Sequence, residues 1–115
     1  MILMYHKVDI ITPTTWWVMP ADLEQHISRL GARQFVYLDD YTSTSDQAVI
    51  TFDDAYENVC LHALPILRAH RLPFEVFVVG NTLGAWNDFD PGEPATRHMT
   101  LEQLGDVVRS GGRIQ

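Results

Sequence analysis

The segment Val49-Ile50-Thr51-Phe52-Asp53-Asp54-Ala55-Tyr56 decides the fold, because an apolar, β-rich run ends in two adjacent carboxylates and a helical pattern follows. Such a run predicts a buried strand. In parallel sheets, ligands bind at the carboxyl ends of strands, where Asp53 and Asp54 would emerge. Consecutive side chains at a strand end point to opposite sides, so we expect the two carboxylates to have different tasks. One would hold a cation, and the other would accept a proton.

Further apolar runs predict strands before and after this segment. Strands are predicted at Ile2–Tyr5, Phe35–Leu38, Ala48–Phe52 and Phe74–Val79, and Arg113–Gln115 is typical of the opening of a fifth. Short runs rich in β-branched and aromatic residues favour strands over helices. The central segment is therefore expected to lie in a sheet of several strands.

Helical periodicity separates the predicted strands. Pro20 begins one helix, which Gly31 ends. A second pattern covers Tyr56–His70, where Pro65 predicts a kink or an early break. Thr100-Leu101-Glu102-Gln103 fits a capping box that opens a third helix, and the apolar face of this helix is formed by Leu101, Leu104, Val107 and Val108. Because a strand, a helix and a second strand form a right-handed βαβ unit, the predicted fold class is α/β with a parallel sheet.

Composition limits the classes of protein to which the chain can belong. With 115 residues, 46% of them hydrophobic and 20% charged, it fits a single globular domain. The formal net charge of −7 argues against a nucleic-acid partner. The single cysteine, Cys60, excludes an internal disulfide and a cysteine-based metal cluster. Because the N-terminus lacks the pattern of a signal peptide and no window approaches about 18 apolar residues, we predict a cytoplasmic chain without a membrane span.

The acidic pair has several interpretations when it is taken alone. A strand-end Asp53-Asp54 suits a metal site with a carboxylate base beside it, the acidic pocket of a phosphoacceptor, or a structural cap. His6 follows the first predicted strand, so we expect it at the same edge of the sheet, with Tyr5 next to it. Tyr56 follows the acidic pair directly and is a further candidate neighbour of the site.

The tryptophans are candidate substrate contacts. Trp16 and Trp17 are adjacent in a predicted loop, and Trp86 lies in the long aperiodic stretch Thr82–His98. Adjacent tryptophans form either a sugar-stacking platform or a roof over the core, and we favour the roof. Aperiodic loops of this length are frequently functional, so the second stretch is expected to contribute to a binding surface.

The central segment also carries a family resemblance. Thr51-Phe52-Asp53-Asp54-Ala55-Tyr56 resembles the first motif of the polysaccharide deacetylases, the NodB-homology or carbohydrate esterase family 4 group, which is usually Thr-Phe-Asp-Asp-Gly-Tyr. Residues 2–6, 63–67, 72–79 and 99–104 are similar to further blocks of that family, in the same order. Within the third of these blocks, Glu75 replaces a residue that is more usually small or polar. Five matching blocks in order are far more specific than one hexapeptide.

This resemblance implies a distorted (β/α) barrel and the metal-dependent removal of acetyl groups from nitrogen or oxygen atoms of sugars. Residue by residue, it implies that Asp53 is the general base and that Asp54 is a ligand of a divalent metal, with zinc as the first choice. A zinc ion polarises the acetyl carbonyl and lowers the pKa of its bound water, whose proton the base accepts. The implied partner is an acetylated sugar or polysaccharide.

The resemblance covers residues 1–115 as one partial domain and ends just before the family's His-x-x-x-His motif. None of the histidines stands four residues from another, and we interpret His26 and His98 as surface residues. A catalytic zinc takes about three protein ligands, so we expect weak or no metal binding by this chain alone, and whether it is an enzyme by itself stays open. We expect self-association or a C-terminal half as partner, because half a barrel leaves strand edges and apolar faces uncovered.

Two other functions stay open at this point. The first is a non-catalytic module that binds a carbohydrate or a protein through its tryptophans. The second is a receiver-like phosphoacceptor, in which Asp39-Asp40 would supply the acidic doublet and Asp53 the phosphorylated residue. A solvated turn or a helix cap is the simpler interpretation of Asp39-Asp40.

Overall fold

The structure is a computed structural model that describes residues 1–43 and 46–115. The predicted polar connection at residues 42–46 includes Thr44 and Ser45, which lie outside the described residues. The strands are β1 (Ile2–Tyr5), β2 (Lys7–Val8), β3 (Trp17–Val18), β4 (Gln34–Phe35), β5 (Gln47–Phe52), β6 (Phe74–Val76) and β7 (Gly112–Ile114). The α-helices are α1 (Pro20–Arg29), α2 (Leu64–His70) and α3 (Leu101–Arg109). Within the described ranges, no helix has the length and apolar character needed to cross a membrane.

The main sheet is parallel and is organised around β5. Its strands follow the order β1-β5-β6-β7, and β4 pairs with the first residues of β5. Ile2 lies opposite Val49, and Thr51 lies opposite Glu75. The α/β class and the parallel sheet are therefore confirmed. Over the described residues, the strands form an open sheet and not a closed barrel, and β2 and β3 form a separate parallel pair.

β5 is central because apolar side chains cover both of its faces, as is typical of a strand in a parallel sheet. Phe52 is fully buried, and its ring packs edge-on against Phe74 of β6 with the centroids 6.1 Å apart. Burying one such side chain contributes about 1.5–3 kcal/mol. The helices contribute these residues to the core around it: Leu23, Ile27, Leu64, Leu67 and Leu104.

Two predicted strands are shorter in the structure. β4 stops before Leu38, which begins a 3₁₀ turn, because the Leu38 N–H donates to the fully buried Glu75 carboxylate at 2.6 Å. β6 also ends early, although the Phe77 N–H still donates to the Phe52 carbonyl. The loop predicted around Trp17 instead contains β3. The early end of β4 and the presence of β3 reflect backbone hydrogen bonds to residues outside each segment, which local residue preference does not reveal.

The second predicted helix is continuous through Pro65 but irregular before it. A π-helical turn over Val59–Ala63 leads directly into α2, and Pro65 lies within the first two positions of α2. Proline has no N–H for the preceding turn, and its ring needs space there. A π-helical turn accommodates that change inside a helix. The predicted disturbance therefore precedes the proline, and the helix does not break at it.

The third helix begins as predicted. The Thr100 hydroxyl accepts from the Gln103 N–H, and the Gln103 side chain accepts from the Thr100 N–H, which completes the capping box. The buried apolar face of α3 is narrower than predicted, since Leu101 and Val108 are 76% and 57% exposed. Leu104 is buried in the core as expected.

Candidate active site

A sharp turn at the carboxyl end of β5 carries the acidic pair. The Asp53 N–H donates to the Tyr5 carbonyl at 2.8 Å, but Asp54 and Ala55 then adopt left-handed conformations with φ of 66° and 47°. This conformation costs a non-glycine residue about 1–2 kcal/mol. Strand alternation ends at the turn, and Asp53 and Asp54 both line one cavity. That their side chains point to opposite sides stays a prediction.

That cavity, here called the sheet cavity, has a volume of about 400 Å³. Besides the two aspartates, it is lined by side chains such as Thr51 and Phe77. Burial raises the pKa of Asp53 above its ordinary range; His6 opposes this shift, and the charge of Asp54 adds to it. A carboxylate with a raised pKa is a stronger proton acceptor, which is the property that a general base needs.

A second concavity, here called the aromatic groove, adjoins the sheet cavity and has a volume of about 200 Å³. Asp54 lines both of them, and the groove also contains His6, Trp16, Phe89 and Asp90. Trp16 and Phe89 are 52% and 51% exposed, so Trp16 is an open platform and not a roof over the core. The His6 ring packs edge-on against Trp16 at 4.9 Å, so His6 lies beside Trp16 in the aromatic groove.

Lys7, near the start of the chain, forms ion pairs with the long loop at residues 82–98. Its side chain is 1% exposed, and its ammonium group lies 3.0 Å from Glu93 and 3.3 Å from Asp90. Burial alone would raise the pKa of Glu93, but hydrogen bonds from Thr14, Lys7 and Trp17 lower it overall. Because Asp90 lines the aromatic groove, the Lys7 contacts fix one wall of that groove.

His98 lies beneath the turn and is 1% exposed, so its interpretation as a surface residue is wrong. Its Nδ1 atom is 2.6 Å from the Asp54 carbonyl oxygen. Its ring is stacked between Tyr56, at 4.8 Å, and Phe89, at 5.5 Å. The histidine therefore contacts both the acidic turn and the wall of the aromatic groove.

Several candidate residues lie away from the acidic pair. The Tyr5 ring packs in the core against Phe52, its hydroxyl is 3.0 Å from His26 Nδ1, and burial raises the pKa of Tyr5 to about 12. Trp17 and Trp86 line a different cavity of about 240 Å³. Among the predicted tryptophan contacts, the structure brings Trp16 alone next to Asp54.

Tyr56 is buried under the aromatic groove instead of lining it. Its hydroxyl donates to Asp90 at 3.5 Å, and the Lys7 ammonium lies 4.5 Å from its ring centroid. Burial, followed by the negative charges nearby, raises the pKa of Tyr56. This tyrosine supports the groove from below.

The sequence also matches a known family over most of its length. The sequence model of the polysaccharide deacetylases matches residues 40–115, a range that contains Asp53, Asp54 and His98. The chain belongs to the polysaccharide deacetylase family.

Solved structures show the same fold. The chain is similar to IcaB from Ammonifex degensii, with a TM-score of 0.79, 18% identity, and coverage of 98% of this chain and 51% of that one. It is similar to the Streptococcus pyogenes deacetylase PplD in complex with acetate, with a TM-score of 0.75, 19% identity, and coverage of 99% and 54%. No curated protein matches the sequence. The chain thus spans about half the length of each of these two proteins.

The metal site implied for a polysaccharide deacetylase is only partly represented. Asp54 offers a carboxylate oxygen, a ligand type that zinc accepts. In residues 1–43 and 46–115, His, Cys, Asp and Glu side chains form no group of three or more that could hold a metal. The donors present therefore fit one ligand of a catalytic zinc and not a complete set.

The deacetylase resemblance identified the acidic pair but not the residues that support it. Lys7, Phe89, Asp90, Glu93 and His98 were not predicted as site residues. Four of them lie in or next to the long loop, which was recognised as a functional type of segment. Their partners lie far away in the sequence, so no periodicity or spacing marks them individually.

Proposed function

We propose that this chain supplies the first part of an active site that hydrolyses acetyl groups, as amides or esters, on a carbohydrate. Asp53 is the proposed general base, and Asp54 is a proposed ligand of a divalent metal, with zinc as first choice. The observation that carries this proposal is the cavity that Asp53 and Asp54 both line at the carboxyl end of β5, in a member of the polysaccharide deacetylase family.

The proposed reaction adds water to the acetyl carbonyl and releases acetate and the free amine or alcohol of the sugar. Asp53 accepts a proton from the water, and its raised pKa favours this transfer. A divalent metal, when bound, supplies positive charge that polarises the carbonyl and acidifies the water. The PplD structure holds acetate, the acid that such a reaction releases.

The aromatic groove supports a sugar as the substrate. Trp16 and Phe89 present exposed rings beside Asp54, and a few polar groups within an aromatic lining are typical of small-ligand sites. His6 and Asp90 provide hydrogen-bonding groups in the same groove. The proposed arrangement places the sugar ring in the aromatic groove and the acetyl group at the acidic pair.

Release of acetate from acetylated chito-oligosaccharides, measured with zinc or cobalt on a protein that joins this chain to the C-terminal half of a deacetylase domain, tests this proposal. We expect Asp53→Asn to lower the rate by about 10²–10⁴-fold, because general-base catalysis contributes that much. Asp39→Asn is a matched control, since Asp39 belongs to the other acidic doublet and its side chain is 79% exposed. The control variant should keep the rate of the unaltered protein.

Three results would contradict the proposal. Unchanged acetate release by Asp53→Asn would remove Asp53 from the role of base. Oligosaccharide binding without acetate release by that joined protein would favour the non-catalytic binding module. A stable phosphate on Asp53 after incubation with a small phosphodonor would favour the phosphoacceptor.

A further inference from the structure

The contact between His98 and Asp54 has a defined direction. A carbonyl oxygen accepts hydrogen bonds and cannot donate them, so the His98 Nδ1 atom, 2.6 Å away, must carry the proton. The bond ends on the backbone of Asp54 and leaves the carboxylate oxygens free. His98 therefore acts on the conformation of Asp54 and not on its charge.

The residues on both sides of His98 hold the same turn. The Met99 N–H donates to the Ala55 carbonyl at 2.7 Å, and the Glu57 N–H donates to the Arg97 carbonyl at 2.8 Å. Together with the His98 bond, these contacts bind the carbonyls of both left-handed residues. The segment Arg97–Met99 thus opposes the tendency of the turn to return to an ordinary conformation.

Histidine is a costly residue for stability at this position. The His98 Nε2 atom is buried and has no hydrogen-bond partner in the part of the chain that the structure describes. An apolar ring would fill the space between Tyr56 and Phe89 without burying an unpaired polar atom. The Nδ1 bond to the Asp54 carbonyl is the feature of His98 that an apolar ring lacks. Locally unfavourable residues of this kind are expected at functional sites.

We propose that His98 is a positioning residue for Asp54, whose left-handed backbone conformation it holds through the Nδ1–H bond. Its effect on metal binding rests on the function proposed for Asp54, whereas its effect on the turn does not. Supporting groups of this kind around metal ligands typically change metal affinity or activity about 10–100-fold.

The tautomer of His98 is the first test, and it needs neither metal nor substrate. In ¹⁵N NMR spectra of the labelled protein, we expect His98 to carry its proton on Nδ1. His62 and His70, which are 30% and 36% exposed, serve as internal references for histidines with more solvent contact. A His98 signal with the proton on Nε2 would overturn the proposal.

Two variants provide the second test. Asn at position 98 places a donor near the Nδ1 position, whereas Phe keeps the stacked ring and removes the donor. We expect His98→Phe to speed hydrogen exchange of the Met99 amide about tenfold, the equivalent of one hydrogen bond, and His98→Asn to restore most of the protection. The Phe77 amide, which donates within the sheet, should be unchanged in both variants.

Cobalt titration of the same variants, each joined to the C-terminal half of a deacetylase domain, separates the two proposals. If His98→Phe weakens cobalt binding and His98→Asn restores it, both the positioning role and the metal role are supported. If the tautomer and exchange results are as expected but no joined protein, with or without a substitution at position 98, binds cobalt, the proposed function fails and the structural role of His98 at the turn remains. Equal exchange of Met99 in both variants would contradict the positioning role itself.

Discussion

Phe52 and Asp53 are adjacent in the chain, but their surroundings differ. The region around Phe52 is well packed, whereas the region around Asp53 contains strained backbone and a buried polar atom without a hydrogen-bond partner among the described residues. Around Phe52, apolar side chains from helices and strands form a continuous core. Around Asp53, the chain holds two left-handed non-glycine residues and a carboxyl with a raised pKa, and His98 Nε2 lacks a partner among the described residues. The difference indicates that the core is arranged for stability, whereas the strand end gives up stability to hold polar groups in place.

The largest expected effect comes from the core. Phe52→Ala should lower the free energy of unfolding by about 3–5 kcal/mol, because it removes contacts and leaves a cavity. Met4→Ala changes a residue that lines the sheet cavity and is 59% exposed, so its effect should stay within about 0.5 kcal/mol. Urea denaturation measures both values. Similar losses for the two variants would mean that the proposed contrast between the regions does not hold.

The next largest effect concerns the ion pairs of Lys7. Lys7→Met leaves Glu93 and Asp90 without their buried cation and should cost about 3 kcal/mol. Arg109→Met removes the exposed pair with Asp106, whose side chains are 68% and 51% exposed, and should cost less than about 1 kcal/mol. Thermal unfolding at matched pH compares them. Equal destabilisation by the two substitutions would show that the buried ion pairs of Lys7 stabilise the wall of the aromatic groove no more than an exposed ion pair would.

Asp53→Asn should stabilise the metal-free protein slightly at neutral pH. The folded state raises the pKa of Asp53, so it binds a proton more readily than the unfolded state does. Stability from this residue is therefore greatest in acid and declines as pH rises through the raised pKa. Because the carboxyl is partly solvated, we expect a gain below about 1 kcal/mol for the variant at pH 7, vanishing below about pH 4. Unfolding curves across pH give the comparison; a gain that grows towards acid pH would reverse the assigned sign.

The smallest effect is expected for Ala55→Gly, because three contributions nearly cancel. Glycine relieves about 1–2 kcal/mol of left-handed strain. It also removes a buried methyl group worth about 0.8 kcal/mol and gives the unfolded chain about 0.4–1 kcal/mol more freedom. Ala48→Gly in β5 also removes a buried methyl group and gives the unfolded chain more freedom, but it relieves no left-handed strain. It should therefore be clearly destabilising. If both variants lose the same stability in urea, the turn at Ala55 is not strained.

Much of the fold could be predicted because its signals are local. The apolar run before Asp53 identified β5, and Thr100 with Gln103 identified the start of α3. The short β4 could not be predicted, because Leu38 forms its hydrogen bond with Glu75, a residue of another strand. The carboxylate of Glu75 thus takes the Leu38 N–H that strand pairing would otherwise use. Because Glu75 is far from Leu38 in the sequence, local strand propensity does not reveal this contact.

Only the residues of the candidate site that belong to a recognisable sequence motif could be predicted. Asp53 and Asp54 follow from the hexapeptide, and the family match includes them. The left-handed turn was not predicted, since Ala55 replaces the glycine that would indicate it. Lys7 and His98 are typical surface residue types, and their burial depends on partners in a loop without periodicity.

Parallel pairing also determines the order in which the chain can assemble. β1 pairs with β5 by placing Ile2 opposite Val49, whereas β5 and β6 meet through Thr51 and Glu75, which are closer in sequence. Longer loops cost more entropy before their contacts form, and non-local pairing slows folding. We therefore expect the unit β5-α2-β6 to form early and β1 to dock late. Until β1 arrives, one edge of β5 is open to strands of other chains, so refolding yield should fall as protein concentration rises.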